Sequence, residues 1–361
     1  MVMTPSPWQR ALPYAFAAVY FALSVYVMGV FMVGWEFGGG SDYSMHSVLQ
    51  GRFPRPVIYR QFIPIISNLA LHAFPEQENI TRWLIGLRNS ELGQRMIHLR
   101  FPSAPAALSD KMIYETSMVL LVIYAMLLAF IFMLYRLAAA LMPDSRAYAL
   151  TAPVIALLLI PVFAIRYAYA YDFAELFFSC ACFLLLYRRR WSAYLACLAI
   201  ATLNKETTIF IICFYFAWHW QFLPKRRYVR LGLAQVLVYA AVKGSLTLYY
   251  SDHPGFMVQH TFVDNVFYFV QYNYVHFVAA LVTAALLAYR WPHKPLFLRA
   301  GLLMSALNFA AYLLWCNPGE YRDLYWGMPV MILLAAHTLA QLTGIARMPL
   351  FAFPPPRNGT P

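Results

Sequence analysis

The chain has 361 residues, 62% of them apolar and only 12% charged, against about 45–50% and about 25% in a soluble globular protein. So few charges cannot cover a water-soluble surface. That excludes a disordered chain, a secreted disulfide scaffold and an ordinary cytosolic enzyme, and points to an all-α, polytopic membrane helix bundle. The net charge of +12 would suggest nucleic acid in a soluble chain; here it reads as the basic bias of cytoplasmic loops, and no nucleic-acid partner is expected.

A spanning helix needs about 20 mostly apolar residues, fewer where neighbours shield its ends. Ten segments qualify, near 12–34, 113–135, 147–165, 173–187, 191–204, 207–222, 231–250, 275–289, 296–315 and 326–345. The first is read as a retained span, because its apolar run exceeds the core of a cleavable signal. Arg10, Arg136 with Arg146, Arg188 to Arg190, Lys225 to Arg230, Arg290 with Lys294 and Arg299, and Arg347 occupy alternate connections. Both termini are therefore expected in the cytoplasm, with the lipid bilayer of the cytoplasmic (inner) membrane as the chain's environment. On this map only Asp144 of the 15 acids faces inward, so chemistry is expected on the outer side. The five cysteines mostly sit in apolar runs and read as small packing residues.

Residues 35–112 form an outer connection far longer than usual, and such segments are commonly functional. Within it, 61–74 is apolar but too short to span, and 79–99 alternates apolar and basic residues at roughly helical spacing. Both suit helices lying on the membrane. Residues 1–350 are taken as one integral-membrane domain and 351–361, with Pro354 to Pro356, as a disordered tail.

Four polar constellations interrupt this pattern. Gly38-Gly39-Gly40-Ser41-Asp42 follows the first span, where the glycines free the backbone. Asp42 could take a proton from a hydroxyl, hold a cation, or simply cap a helix. Tyr169-Ala170-Tyr171-Asp172 leads into a span with Glu175 one turn on; two acids at the end of an apolar helix call for water, a cation or a shared proton, whereas helix capping explains Asp172 better than Glu175. Asn204-Lys205-Glu206-Thr207 sits between two apolar runs, at a depth where four polar residues are costly unless they line a cavity. Arg322, within Glu320-Tyr321-Arg322-Asp323, is the single base of its turn; its planar fork suits a phosphate or a salt bridge to Glu320 or Asp323. Lys243 is a further intramembrane charge, and His253 and His260 lack a metal spacing.

This arrangement resembles the GT-C superfamily of polytopic membrane glycosyltransferases. The resemblance rests on one span, a long outer loop with an early acid (Asp42), Tyr59-Arg60 with Pro64, the Asn204 to Thr207 turn, and Glu320-Tyr321-Arg322 before the last span. It implies transfer of a sugar from a polyprenyl-phosphate donor to an acceptor glycan, lipid or protein at the outer membrane face. By the same resemblance Asp42 matches the acid that acts as base or metal ligand. The common acidic pair is missing there, which leaves a requirement for Mg²⁺ or Mn²⁺ open, and a large C-terminal acceptor-peptide-binding module is not expected.

The residue types suit that chemistry. A glycosyl group moving through an oxocarbenium-like state needs a carboxylate to receive the acceptor proton, and a departing lipid phosphate needs cationic donors. The expectation is an inverting transferase with Asp42 as base, Arg60, Lys205 and Arg322 on phosphate, and Asp172, Glu175 and Glu206 orienting hydroxyls or a divalent cation. The alternatives are a transporter or flippase for an anionic lipid-linked or polysaccharide substrate, and a non-catalytic subunit of the same fold.

Overall fold

The computed structural model describes residues 7–34, 49–51, 55–100, 109–143, 145–164, 168–255, 260–271 and 273–344. Asp42 with its glycines, Asp144 and the tail 351–361 lie outside the described residues. Within them the chain is all-helical; the one β-type pairing is an isolated bridge between Arg55 and Gly255.

The helices are α1 (Pro7–Gly34), α2 (Phe62–Ala73), α3 (Glu78–Asn89), α4 (Glu91–Arg100), α5 (Asp110–Leu141), α6 (Arg146–Ala164), α7 (Asp172–Tyr187), α8 (Trp191–Asn204), α9 (Ile209–His219), α10 (Lys225–Tyr249), α11 (Phe262–Gln271), α12 (Asn273–Ala288), α13 (Leu296–Trp315) and α14 (Met328–Leu342). A helix occupies each of the ten apolar segments. Five of them, α1 from Arg10 to Val33, α5, α6, α10 and α13, are long and apolar enough to cross a membrane, as a chain in a lipid bilayer requires. The others are shorter. The 79–99 stretch forms two helices, because Ser90 leaves the helical conformation (ψ 152°) and its hydroxyl accepts from Gly93 N at 3.0 Å, capping α4.

Helix α7 lies at the centre, packed against α5, α8, α9 and α14. Thirteen of its sixteen residues are buried, so it is apolar on every side, as a helix with no solvent or lipid face must be. Its Phe183 and Cys180 belong to one core that also takes Phe31 from α1, Leu127 from α5, Tyr215 from α9 and Leu333 from α14. By contrast α10 leaves Val229, Leu233, Val236 and Leu237 exposed, an apolar face suited to lipid.

Three breaks in helix bring polar residues to one end of α7. Lys205, with φ −160° and ψ 137°, ends α8 in extended backbone before the 3₁₀ turn Glu206–Thr208. The turn from Asn317 is closed by Glu320 N donating to Asn317 O at 3.1 Å. Its Gly319 has φ +82°, the left-handed value that suits glycine after Pro318. Arg55 N donates to Pro254 O at 2.8 Å, and there Gly255 (φ +109°) has no room for a side chain: a Cβ would meet Arg55 O at 2.6 Å.

Candidate functional site

These breaks converge on a cavity of about 680 Å³. Its wall is formed by the 55–60 segment, Tyr169 and Tyr171, Lys205 to Thr207, one face of α13, and the 316–323 turn. Tyr171, one of the lining residues, stands at the start of α7. Asn204 Nδ2 donates to Tyr171 O at 3.1 Å, which ties the end of α8 to that start. The Tyr171 hydroxyl accepts from Arg60 Nη1 and, at 3.0 Å, from Arg322 Nη1. The Arg60 guanidinium also lies over the Tyr171 ring, 4.3 Å from its centre, and that of Arg322 over Tyr169 at 3.9 Å. One phenol thus joins two cations from distant parts of the chain, with ring faces offsetting part of their charge.

Each cation has its carboxylates. Arg60 Nη2 meets Glu206 Oε1 at 3.0 Å. Lys205 Nζ lies 2.8 Å from both Glu175 Oε2 and Asp323 Oδ1. Arg322 is 3.2 Å from Glu320 Oε2, 3.4 Å from Asp172 Oδ1 and 3.7 Å from Asp323 Oδ1. Lys205 is 1% exposed, so removing a counter-charge would leave its ammonium in a medium that penalises it strongly.

The electrostatics follow from this mutual neutralisation. Burial alone would raise the Glu206 carboxyl, but the Arg60 guanidinium, with Lys243 adding, pulls it down to about 2. Burial would likewise raise Asp323; Lys205 and Arg322 hold it well below the usual carboxylate range. Burial would lower Lys205, and Asp323 and Glu175 instead hold it above the usual ammonium range. Lys205, Glu206 and Asp323 are therefore charged at neutral pH.

The structure brings Arg60, Asp172, Glu175, Lys205, Glu206 and Arg322 into this one assembly, while Asp42 lies outside the described residues. Their positions divide them. Arg60, Lys205, Glu206 and Arg322 line the cavity. Asp172 and Glu175, 1% and 0% exposed, stand behind the wall and hold Arg322 and Lys205. They pair with these two cations and are not among the residues that line the cavity; Asp172 Oδ2 also accepts from Tyr169 N at 2.9 Å, which ties the start of α7 to the segment before it. For Arg322 the salt bridges to Glu320 and Asp323 both exist.

Sequence reasoning missed Tyr171, Glu320, Asp323 and Asn308 as site residues. Asn308 carried a signal, an amide within an apolar run; Tyr171 was hidden among 26 tyrosines. Lys243 places Nζ 4.0 Å from the centre of the Tyr59 ring, and Tyr239 Oη donates to Glu206 O at 2.9 Å. Trp326 Nε1 donates to Thr207 Oγ1 at 2.7 Å, and Ser179 Oγ to Trp326 O at 3.0 Å, fixing the Glu206–Thr208 turn to α7.

Among the described residues no group of three or more His, Cys, Asp or Glu gathers as a metal site. Each carboxylate lining the cavity already faces a protein cation, so these residues do not fit a divalent ion. What the wall does offer is hydrogen-bonding capacity. Arg55 Nε, Arg60 Nε, Arg322 Nε and Asn308 Nδ2 are buried donors without a partner, and Glu206 Oε2 is a buried acceptor without one. Buried groups of this kind are rare in folded proteins and call for a ligand or ordered water. No protein-family model, curated protein or solved structure matches the chain.

Proposed function

We propose that the protein is an inverting membrane glycosyltransferase that moves a sugar from a polyprenyl-phosphate-linked donor to an acceptor at the outer face of the cytoplasmic membrane. The observation that carries this reading is the set of unpartnered groups around one cavity. Three guanidinium N–H donors, an amide and the Oε2 oxygen of Glu206 are buried without a protein partner on residues that line a space roomy enough for a phosphorylated sugar. Guanidinium is well suited to phosphate oxygens, and a carboxylate oxygen accepts from a hydroxyl.

On this reading all ten apolar segments cross the bilayer, the short α7 being shielded by its neighbours, and both termini are cytoplasmic. The acceptor hydroxyl oxygen bonds to the anomeric carbon as the bond from that carbon to the phosphate oxygen breaks. The phosphate keeps the bonding electron pair, stabilised by Arg60 and Arg322. The hydroxyl proton passes to a carboxylate. Glu206, held near 2, is too weak a base for that task at neutral pH and orients the hydroxyl instead, since an effective base has an affinity for protons near the working pH. The base is Asp42, by resemblance.

A transporter would need a polar route through the bundle. A second cavity, about 200 Å³, is lined by Ser145, Arg290, His337 and Gln341. It lies at the start of α6, the end of that helix remote from the site. The buried apolar residues of α7, Phe178, Phe183 and Leu186 among them, fill the bundle core, which favours the transferase.

The test is a reconstituted transfer assay with prenyl-phosphate sugars. Asp42→Asn is expected to abolish transfer with insertion into the membrane unchanged, and full activity in that variant would remove Asp42 from the mechanism. Failure of the wild-type protein to bind any prenyl phosphate would remove the lipid-phosphate reading altogether.

A further inference from the structure

The charged residues account for only part of the cavity lining. Another part is one face of α13, formed by Asn308, Ala311, Tyr312 and Trp315. Their spacing of i, i+3, i+4 and i+7 places all four on a single side of the helix. None carries a formal charge, so the part of a ligand lying there is neutral.

These side chains differ in how far the protein itself uses them. Ser305, one turn before, has partners in Gly301 O at 3.2 Å and Gly327 O at 3.5 Å. Tyr312 Oη accepts from Gly319 N at 3.1 Å, and its ring stacks on Tyr321. Asn308 is 2% exposed, and its Nδ2 has no partner. An amide buried in an apolar helix and left unsatisfied is destabilising, which is understandable if a ligand completes it. Ala311 leaves space beside it, and the half-exposed indole of Trp315 supplies a flat apolar surface at the rim. The C-terminal end of this helix is held rigidly: Thr261 N donates to Leu314 O at 3.1 Å and Thr261 Oγ1 to Cys316 O at 2.6 Å.

A flat apolar surface, a small residue and an amide donor match a pyranose ring, which has a C–H face and hydroxyls around its edge. We infer that this face of α13 is the sugar subsite: Trp315 packs on the C–H face of the ring, Ala311 admits it, and Asn308 donates to a ring hydroxyl. This rests on the lipid-phosphate-sugar reading and extends it to the residues that select the sugar. The ring belongs either to the donor or to the acceptor glycan.

Binding measured by titration in detergent separates these cases. The probes are a short-chain prenyl phosphate, the same lipid phosphate carrying glucose, mannose or N-acetylglucosamine, and the corresponding free disaccharides. At least one sugar-bearing probe is expected to lose tenfold or more in affinity in both Ala311→Leu, which fills the subsite, and Asn308→Leu, with bare prenyl phosphate binding unchanged. A loss on the lipid-linked probes assigns the donor ring to α13, and a loss on the disaccharides the acceptor ring. Trp315→Leu, at the half-exposed rim, provides a third variant should the two interior ones fail to fold. Sugar affinities unchanged in the folded variants, or no sugar contribution in the wild type, overturn the inference. If bare prenyl phosphate itself does not bind, the underlying function reading fails, which is a distinguishable result.

Discussion

Arg60 and Glu206 form a 3.0 Å ion pair across 146 residues of sequence. The pair fastens the 55–60 segment to the break between α8 and α9, and it leaves the second oxygen of Glu206 without a partner. If that oxygen holds the acceptor hydroxyl, Glu206→Gln lowers kcat/KM for transfer by about 10- to 100-fold, the loss that corresponds to one hydrogen bond to a charged group, about 1.5–3 kcal/mol. Steady-state kinetics over a range of acceptor concentrations checks this; wild-type values in the variant would show that the oxygen has no part in turnover.

The same pair sets an acid limit. The Glu206 carboxyl sits at about 2 in the fold and at about 4.3 in an unfolded chain, so between those values the unfolded state binds more protons. Its contribution to stability is complete above about pH 4.3 and fades as the pH falls toward 2. Thermal midpoints of wild type and Glu206→Gln in detergent should converge as the medium is acidified over that window. A gap that stays constant down to pH 2.5 would contradict it.

Lys205 is the most exacting charge in the site. Lys205→Met strands Glu175 inside the bundle and leaves Asp323 only its 3.7 Å ion pair with Arg322, and a loss of about 3–5 kcal/mol is expected. Replacing all three residues with apolar ones of similar size should restore most of the thermal midpoint, because a buried ion cluster exchanged for packed hydrocarbon is often neutral in stability. Activity should not return with it. A triple variant no more stable than Lys205→Met would mean that the cluster holds the fold by more than mutual neutralisation.

Tyr171→Phe deletes one oxygen and leaves the ring under Arg60. Because that oxygen accepts from both Arg60 and Arg322, and hydrogen bonds to charged groups contribute about 1.5–3 kcal/mol, the variant should fold but unfold at lower denaturant concentration. Unchanged unfolding would show that the two cations are held by their carboxylates alone.

At another site Lys294 is 2% exposed and donates to Leu334 O at 2.9 Å and Thr338 Oγ1 at 2.7 Å, with burial pulling its ammonium down to about 8. Its folded value lies below the unfolded value of about 10.4, so between them the folded state binds fewer protons and stability rises with pH. Two donated bonds need only a neutral amine. Wild type should therefore gain stability from pH 8 to 10 relative to Lys294→Met, and a parallel pH course for the two proteins would refute this.

Much of the architecture was legible because lipid imposes simple rules. All ten apolar segments coincide with helices, and the polar breaks at 204–207 and 320–323 stood out because such residues are costly at membrane depth. Pairing was not legible. Nothing local tells Lys205 to choose Glu175 and Asp323, 30 and 118 residues away, over the adjacent Glu206. That Asp172 and Glu175 would be buried against Arg322 and Lys205 was not legible either, because it depends on which helices surround α7. Tyr171 was obscured for a related reason: aromatic residues are common at membrane interfaces, and only tertiary packing sets this one between two guanidinium groups.

The burial of α7 bears on how the protein is made. Its sixteen residues begin with two acids, and the ammonium that matches Glu175 is encoded 30 residues later. Released by itself into hydrocarbon, α7 would be both too short and wrongly charged. If all ten apolar segments cross the bilayer, as proposed, α7 is expected to wait at the insertion machinery until α8 has been synthesised and to leave as a hairpin, so that a ribosome stalled before Lys205 should leave α7 still extractable from the membrane.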